Sequence, residues 1–377
     1  MSFVSQRLQY FDSSDFRHAM QKQAELINPI DLSIGVPEEL TPEHVKAAGI
    51  AAINSDKTKY TPAAGIAELR EAITAKLFKE NGLLHDPSCV TIVPGLTTGL
   101  LLVYLAILDP GDEIIIFDPY YPPYPNLASM VGAHVVCLPT LPDFQPDLPA
   151  LEANITIRTK VIVVNSPNNP SGAVYPEATL RKIAHLAEVH NLLIISDEIY
   201  EHFTYDTPHF SIGSIYPNTI TMNGFSKEYA MTGWRLGYLA GPSDIINAIN
   251  ELQQYVVMSS SSIAQHAGVA AMKQRPDIVH KYHKKRDYVI NRLSEMGYKV
   301  HGAQGAYYIF LETPEGLTDV EFVDRATSHG LIIVPGRAFS RQQGYVRISY
   351  GADMATLKRG MDALEKTIYS LSTVTIA

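Results

Sequence analysis

The chain has 377 residues, 46% of them hydrophobic and 18% charged, enough for one large domain plus a smaller one or two of similar size. A formal net charge of −9 argues against a nucleic-acid binder, and the only basic cluster, Lys281-Tyr282-His283-Lys284-Lys285-Arg286, reads as the solvated face of a helix. Two cysteines, Cys89 and Cys137, exclude a disulfide framework or a cysteine zinc site and are expected as buried free thiols.

Residues 1–7 carry no apolar stretch of the kind a secretion signal needs, and the longest apolar run, Leu100 to Leu108, is too short to span a bilayer. A cytoplasmic protein without a membrane partner is expected. From about residue 89 to 240, short β-rich runs alternate with helix-length segments. The runs are Val90 to Val93, Glu113 to Phe117, His134 to Leu138, Lys160 to Val164, Leu192 to Ile195 and Thr219 to Met222. Most are continuously apolar, as strands covered on both faces are, and the spacing predicts a mostly parallel α/β sheet. Ligands of such sheets bind at the carboxyl ends of the strands, so the residues just after each run are the candidates.

After the first run, Gly95-Leu96-Thr97-Thr98 opens an apolar helix whose free N–H groups and hydroxyls can bind an anion. A glycine turn with a threonine cap is the competing reading. After the second, Tyr121 can stack on a flat aromatic ligand. Asn168-Asn169-Pro170-Ser171-Gly172 is a turn sequence in its own right, and Asn169 can also donate its amide to a phenolate oxygen. Asp197 ends an apolar run, where a carboxylate needs a cation or several donors. A protonated pyridine nitrogen is such a cation; a helix cap or an internal salt bridge is the alternative. Tyr200 can present its hydroxyl to the same ligand, whereas Glu198 should point the other way by strand alternation. Lys227 follows the last run, with Ser226 beside it and Arg235 eight residues on. An amine there can form a Schiff base with an aldehyde, its pKa lowered by the nearby cation, while Ser226 and Arg235 can hold a phosphate. For any single lysine, a solvated side chain in a polar loop is the rival interpretation.

The tail from about Lys281 changes character. A charged helix is followed by Ala306 to Leu311, a helix over Asp319 to His329, Leu331 to Val334, Tyr345 to Tyr350 and a closing helix over Met354 to Tyr369. This predicts a smaller α+β domain, with Arg347 placed to bind a carboxylate fork to fork. The segment before Tyr60 is expected to pack with it. The resulting division is 45–280 for the large domain and 1–44 with 281–377 for the small one.

Taken together, Asn165-Ser166-Pro167-Asn168-Asn169-Pro170-Ser171-Gly172, Ser196-Asp197-Glu198-Ile199-Tyr200, and Ser226-Lys227 with Thr232-Gly233-Trp234-Arg235 resemble the class I/II aminotransferases of the aspartate aminotransferase superfamily. The resemblance runs from Leu32 to Ser349. It implies fold type I, a large α/β domain with a mostly parallel seven-stranded sheet plus a smaller α+β domain. It implies pyridoxal 5'-phosphate as cofactor, and an L-amino acid and a 2-oxo acid such as 2-oxoglutarate as substrates. Lys227 would be the covalent anchor and acid–base catalyst, Asp197 the partner of the pyridinium, and Asn169 and Tyr200 the ligands of the ring's phenolic oxygen. Tyr121 would stack on the ring. Gly95, Leu96, Thr97, Ser226 and Arg235 would hold the phosphate, and Gly35 and Arg347 the substrate carboxylate, with Tyr121 and Asn169 adjoining. Tyr60 matches the family tyrosine that reaches the phosphate from the neighbouring subunit, which implies a homodimer with shared active sites.

Two departures bear on substrate choice. Many prokaryotic aspartate-specific relatives carry a lysine where Thr97 stands, and Val36 replaces the acidic residue usual after the small-domain glycine. With Tyr60, Tyr120 and Tyr121 expected around the pocket, aspartate, aromatic or mixed donors are all compatible. The alternative is a pyridoxal-phosphate-dependent lyase, decarboxylase or synthase on the same fold. A transcription regulator built on this domain is not expected, because about 30 residues before Asp31 fall short of the roughly 50 that a small domain needs. A nicotinamide dehydrogenase would need the missing Gly-x-Gly-x-x-Gly fingerprint.

Overall fold

The computed structural model describes residues 3–5, 7–8 and 28–372. The readings on the remaining N-terminal residues lie outside these, including most of the 1–27 part assigned to the small domain.

A seven-stranded sheet forms the centre. In chain order its strands are β2 (Val90–Val93), β3 (Glu113–Asp118), β4 (His134–Pro139), β5 (Thr159–Asn165), β6 (Leu193–Asp197), β7 (Thr219–Gly224) and β8 (Gly237–Ala240), with β1 (Ile30–Asp31) lying elsewhere. Their spatial order is β2-β8-β7-β6-β5-β3-β4. Every pairing is parallel except those of β8, which runs antiparallel to both neighbours. The six predicted runs all form strands. The seventh, Gly237–Ala240, was not among them: four residues with a glycine carry little strand signal, and it is the sheet that fixes them. β2, β3 and β5 are buried nearly throughout, in keeping with helices on both faces. Cys89 and Cys137 are free but half-buried rather than buried, and partial burial pushes the Cys137 thiol up to about 12.

The C-terminal region builds a second, antiparallel sheet in the order β11 (Val334–Pro335), β12 (Tyr345–Ser349), β9 (Tyr308–Glu312). β1 pairs in parallel with β10 (Leu331–Ile332), so residues 30–31 do join this region as expected. The helix Glu43–Asn54 does not. It packs on the helix Ser262–Lys273, and Gly49 lies so close to Trp234 that a Cβ would stand 2.8 Å from its ring. Of the described residues before Tyr60, residues 30–31 pair with this region and the helix Glu43–Asn54 packs elsewhere.

The basic cluster corrects a second expectation. In the helix Val279–Glu295, Tyr282, Lys285, Arg286, Val289 and Leu293 are buried. That is a helical stripe at i, i+3, i+4 and i+7, and it faces the core. Lys285 lies 4.4 Å from the Tyr282 ring and pairs with Glu38 at 3.0 Å; Arg286 pairs with Asp206 at 2.7 Å. Only Lys281 and Lys284 are exposed.

Candidate active site

Parallel strands deliver their carboxyl ends to one edge, and there the chain builds a cavity of about 320 Å³, within the range of small-molecule sites. Gly35, Leu96, Thr97, Tyr121, Asn169, Asp197, Tyr200, Ser226, Lys227, Arg235 and Arg347 all line it. Because β8 runs back from that edge, Arg235, two residues before it, is returned to the same end as Lys227.

Gly95 lies next to the lining residue Leu96 without being part of the lining, and two candidates fall elsewhere. Tyr60 is 82% exposed and lies beside Ser259–Ile263, away from this cavity. Tyr120, expected at the pocket, is absent from its lining; its backbone N–H bonds the Phe339 carbonyl at 2.8 Å. Asp118, at the end of β3, is likewise diverted, accepting from the Ser340 hydroxyl and the Arg341 N–H.

At one end of the cavity Asp197 is buried. Its Oδ2 accepts from the Tyr124 hydroxyl at 2.7 Å and its Oδ1 from the Ile199 N–H at 3.2 Å. Among the described residues no cation stands within ion-pair distance of it. Burial pushes its carboxyl up to about 6, against the lowering effect of Tyr124. A carboxylate held so is suited to a cationic ligand entering the cavity.

Lys227 donates through Nζ to the Gly35 carbonyl at 2.7 Å. Desolvation, then Arg347, pull its pKa down to about 8, with Arg235 a smaller influence. The cation expected from sequence to tune this amine was Arg235; strand β12 supplies a stronger one. A larger share of free amine is thus present near neutrality than on an ordinary lysine.

Gly95, with φ +84, caps the helix Leu96–Ile107, and a Cβ there would stand 2.3 Å from Arg235 Nη2. The glycine makes room for a guanidinium against a helix N-terminus, and Ser226, Thr97 and Thr232 complete the rim. Helix N–H groups, hydroxyls and a guanidinium form a donor set for a phosphate.

Beside Asn169, Arg347 is buried between the Phe339 ring (4.4 Å) and the Tyr308 ring (4.7 Å). Its Nη1 donates to Asn169 Oδ1 at 3.1 Å, and its Nη2 donates to the Ser33 carbonyl. With its oxygen thus engaged, Asn169 keeps its amide N–H groups for another partner. Its segment is also the turn expected, with Gly172 at φ +68. Arg347 Nε is buried and has no hydrogen-bond partner among the described residues. An anion is the partner that such a guanidinium lacks.

Tyr124, Asn165, Ile199 and Tyr308 also line the cavity and were missed in the sequence. Asn165 stands in register with Asp197 across β5 and β6 and donates to its carbonyl at 3.1 Å, so adjacency to a strand end was the available signal. Tyr124, one helical step beyond Tyr121, carried no signal of its own among 21 tyrosines.

Behind the site, Glu198 points away as alternation predicts. It accepts from Ser196, Ser211 and Asn81, and lies 3.0 Å from His209 Nε2. Glu201 meets Lys76, Asn81 and Asn223. Burial acts to raise the Glu201 carboxyl, and Lys76 with His202 overrides it, holding it well below the usual range. Glu228 lies 3.3 Å from His202. Each of these glutamates directly follows a residue of the cavity: Asp197, Tyr200 or Lys227.

The family profile described as aminotransferase class I and II matches residues 27–364. The chain belongs to this family. It is 40% identical over 361 residues to the probable aspartate/prephenate aminotransferase of Thermus aquaticus, covering 93% of this chain and 94% of that one. It is 35% identical to aromatic-amino-acid aminotransferase 2 of Thermococcus litoralis, over 97% of this chain and 98% of the relative. The solved aspartate aminotransferase of Thermus thermophilus with maleate superposes with a TM-score of 0.93 at 38% identity, covering 97% of this chain and 100% of that structure. The fold is therefore fold type I, and the protein is a pyridoxal-phosphate-dependent aminotransferase. No helix among the described residues is long and apolar enough to cross a membrane.

Proposed function

We propose that this aminotransferase takes the amino group from an L-amino acid with an aspartate, aromatic or mixed side chain and passes it to a 2-oxo acid such as 2-oxoglutarate. The observation that carries the proposal is one cavity lined by a carboxylate at Asp197 with no cation beside it among the described residues, a depressed amine at Lys227 and a guanidinium at Arg347 whose Nε lacks a partner there.

Pyridoxal phosphate, when bound, supplies an aldehyde for an amine and a pyridine ring that draws electrons from the substrate's α-carbon. The residues present fit it. Asp197 would hold the ring nitrogen protonated, and Tyr124 and Ile199 would keep that carboxylate in place. Asn169 and Tyr200 would donate to the ring oxygen, and Tyr121 would lie against the ring. Gly95, Leu96, Thr97, Ser226 and Arg235 would bind the phosphate, with Tyr60 contributed by a second copy of the chain in a homodimer. Arg347 would bind the α-carboxylate beside Gly35, and Lys227 would move the proton from the substrate's α-carbon. The division into 45–280 and 1–44 with 281–377, and a cytoplasmic setting, belong to the same proposal. Reduction of the holoenzyme with borohydride should fix the cofactor to the peptide that carries Lys227. Labelling of a different lysine would end the assignment.

Among the lining residues the cations are Lys227, Arg235 and Arg347, all with roles above. Thr97 and Val36 add no charge to read a substrate's side-chain carboxylate. An ion pair to that group in a closed site is worth about 2–4 kcal/mol, or roughly thirtyfold to nearly a thousandfold in kcat/KM. Aspartate should therefore hold no large advantage over aromatic or larger apolar donors, and Thr97→Lys should raise relative kcat/KM for aspartate. A donor panel with both proteins checks this. Strong aspartate preference in the unaltered enzyme, unmoved by Thr97→Lys, would show that another group reads the side chain.

A further inference from the structure

Resting on the reading of Tyr200 as a ligand of the ring oxygen, we infer that Tyr308 is a positioning residue whose hydroxyl, by donating to the Tyr200 hydroxyl, makes Tyr200 a stronger donor and so sets the acidity of the bound cofactor.

The two hydroxyl oxygens are 2.8 Å apart, both buried. A phenol has one proton to donate. If Tyr200 spends it on the ring oxygen, the bond between the tyrosines must run from Tyr308 to Tyr200. Hydrogen bonds in such a chain polarise one another, so each donor is strengthened by the one behind it. Tyr307, the next phenol, adjoins both hydroxyls but donates its one proton to the Gly35 carbonyl at 3.1 Å, so it has none left for either.

Two further features fix Tyr308 in this role. In the antiparallel pair β9–β12, Phe310 faces Arg347 and Tyr308 faces Ser349, which puts Tyr308 on the same side of the sheet as the guanidinium, 4.7 Å above its ring. Burial raises the Tyr308 phenol, and that positive charge acts to lower it, which makes its O–H a better donor. Gly35 leaves the space the hydroxyl occupies: a Cβ at that position would stand 2.1 Å from Tyr308 Oη. The charged and titratable groups facing the pair are Arg347, Lys227, Tyr307 and Tyr121, from β12, the loop after β7, the residue before β9 and the loop after β3. No carboxylate is among them.

Donation to the ring oxygen stabilises negative charge there, and so favours the form of the bound cofactor that has lost its proton. Weakening it should raise the pH at which the cofactor's visible absorption changes. The test is a spectroscopic pH titration of the holoenzyme for the unaltered protein, Tyr200→Phe, Tyr308→Phe and the double variant. Tyr308→Phe should raise the midpoint by about half to one pH unit, the size of one modest hydrogen bond, and should add nothing once residue 200 is phenylalanine. Gly35→Ala, which displaces the hydroxyl without removing it, should raise the midpoint in the same direction and serves if Tyr308→Phe does not fold. A midpoint moved by Tyr200→Phe and left in place by Tyr308→Phe and Gly35→Ala would overturn the inference alone. So would an equal shift from Tyr308→Phe in both backgrounds. A midpoint indifferent to Tyr200→Phe would instead remove the reading of Tyr200 on which the inference rests.

Discussion

Lys227→Ala is expected to lower amino transfer by about three orders of magnitude or more, because it removes both the amine that captures an aldehyde and the group that carries the proton. The fold should survive. Among the described residues Lys227 makes one hydrogen bond, to the Gly35 carbonyl, and Tyr307 continues to donate to the same oxygen. The ring and phosphate contacts proposed for Asp197, Asn169, Gly95 and Arg235 do not pass through the lysine, so the variant should still bind pyridoxal phosphate. Single-turnover absorbance with an amino donor separates the two effects: binding retained, proton transfer lost. Turnover within tenfold of the unaltered enzyme would mean that another residue is the proton carrier.

Asp197→Asn is expected to reduce turnover by roughly a hundredfold or more, since a charge pair in a buried site can be worth several kcal/mol. The substitution is nearly isosteric. The Tyr124 hydroxyl can still donate to the remaining side-chain oxygen, and Asn165 still donates to the backbone carbonyl. The amide has one acceptor oxygen where the carboxylate had two, so the longer bond from the Ile199 N–H is lost with the negative charge while the backbone geometry is kept. Steady-state kinetics with the fold verified by thermal unfolding would decide it. A variant with near-normal turnover would show that the ring nitrogen is governed by some other group.

Much of the fold and of this constellation was legible in the sequence. Continuous apolar runs announced buried parallel strands, and strand ends then located Asp197, Lys227, Asn169 and Gly95 without any knowledge of long-range contacts. What stayed hidden depended on those contacts. Gly237–Ala240 is a strand only because two neighbours flank it. Tyr308 lies within a predicted strand, but its proximity to Tyr200 follows from how β9 meets the large sheet. Lys285 and Arg286 were misread because charge was weighed above spacing, although Tyr282, Val289 and Leu293 mark the buried face to which they belong. Arg347 was identified as a cation for a carboxylate; its influence on Lys227 is a property of the assembled cavity.

The buried glutamates Glu198, Glu201 and Glu228 separate two kinds of position. Behind Asp197, Tyr200 and Lys227 each neighbour in sequence is tied into a network with Lys76, Asn81, His202 and His209, so a substitution there disturbs charges that are costly to leave unpaired. Val36 is 43% exposed and has no such backing. Changes at that rim can be accepted one at a time without loosening the machinery beneath. Such an architecture is evolvable: the chemistry is inherited as a block, while the choice of amino acid is free to drift.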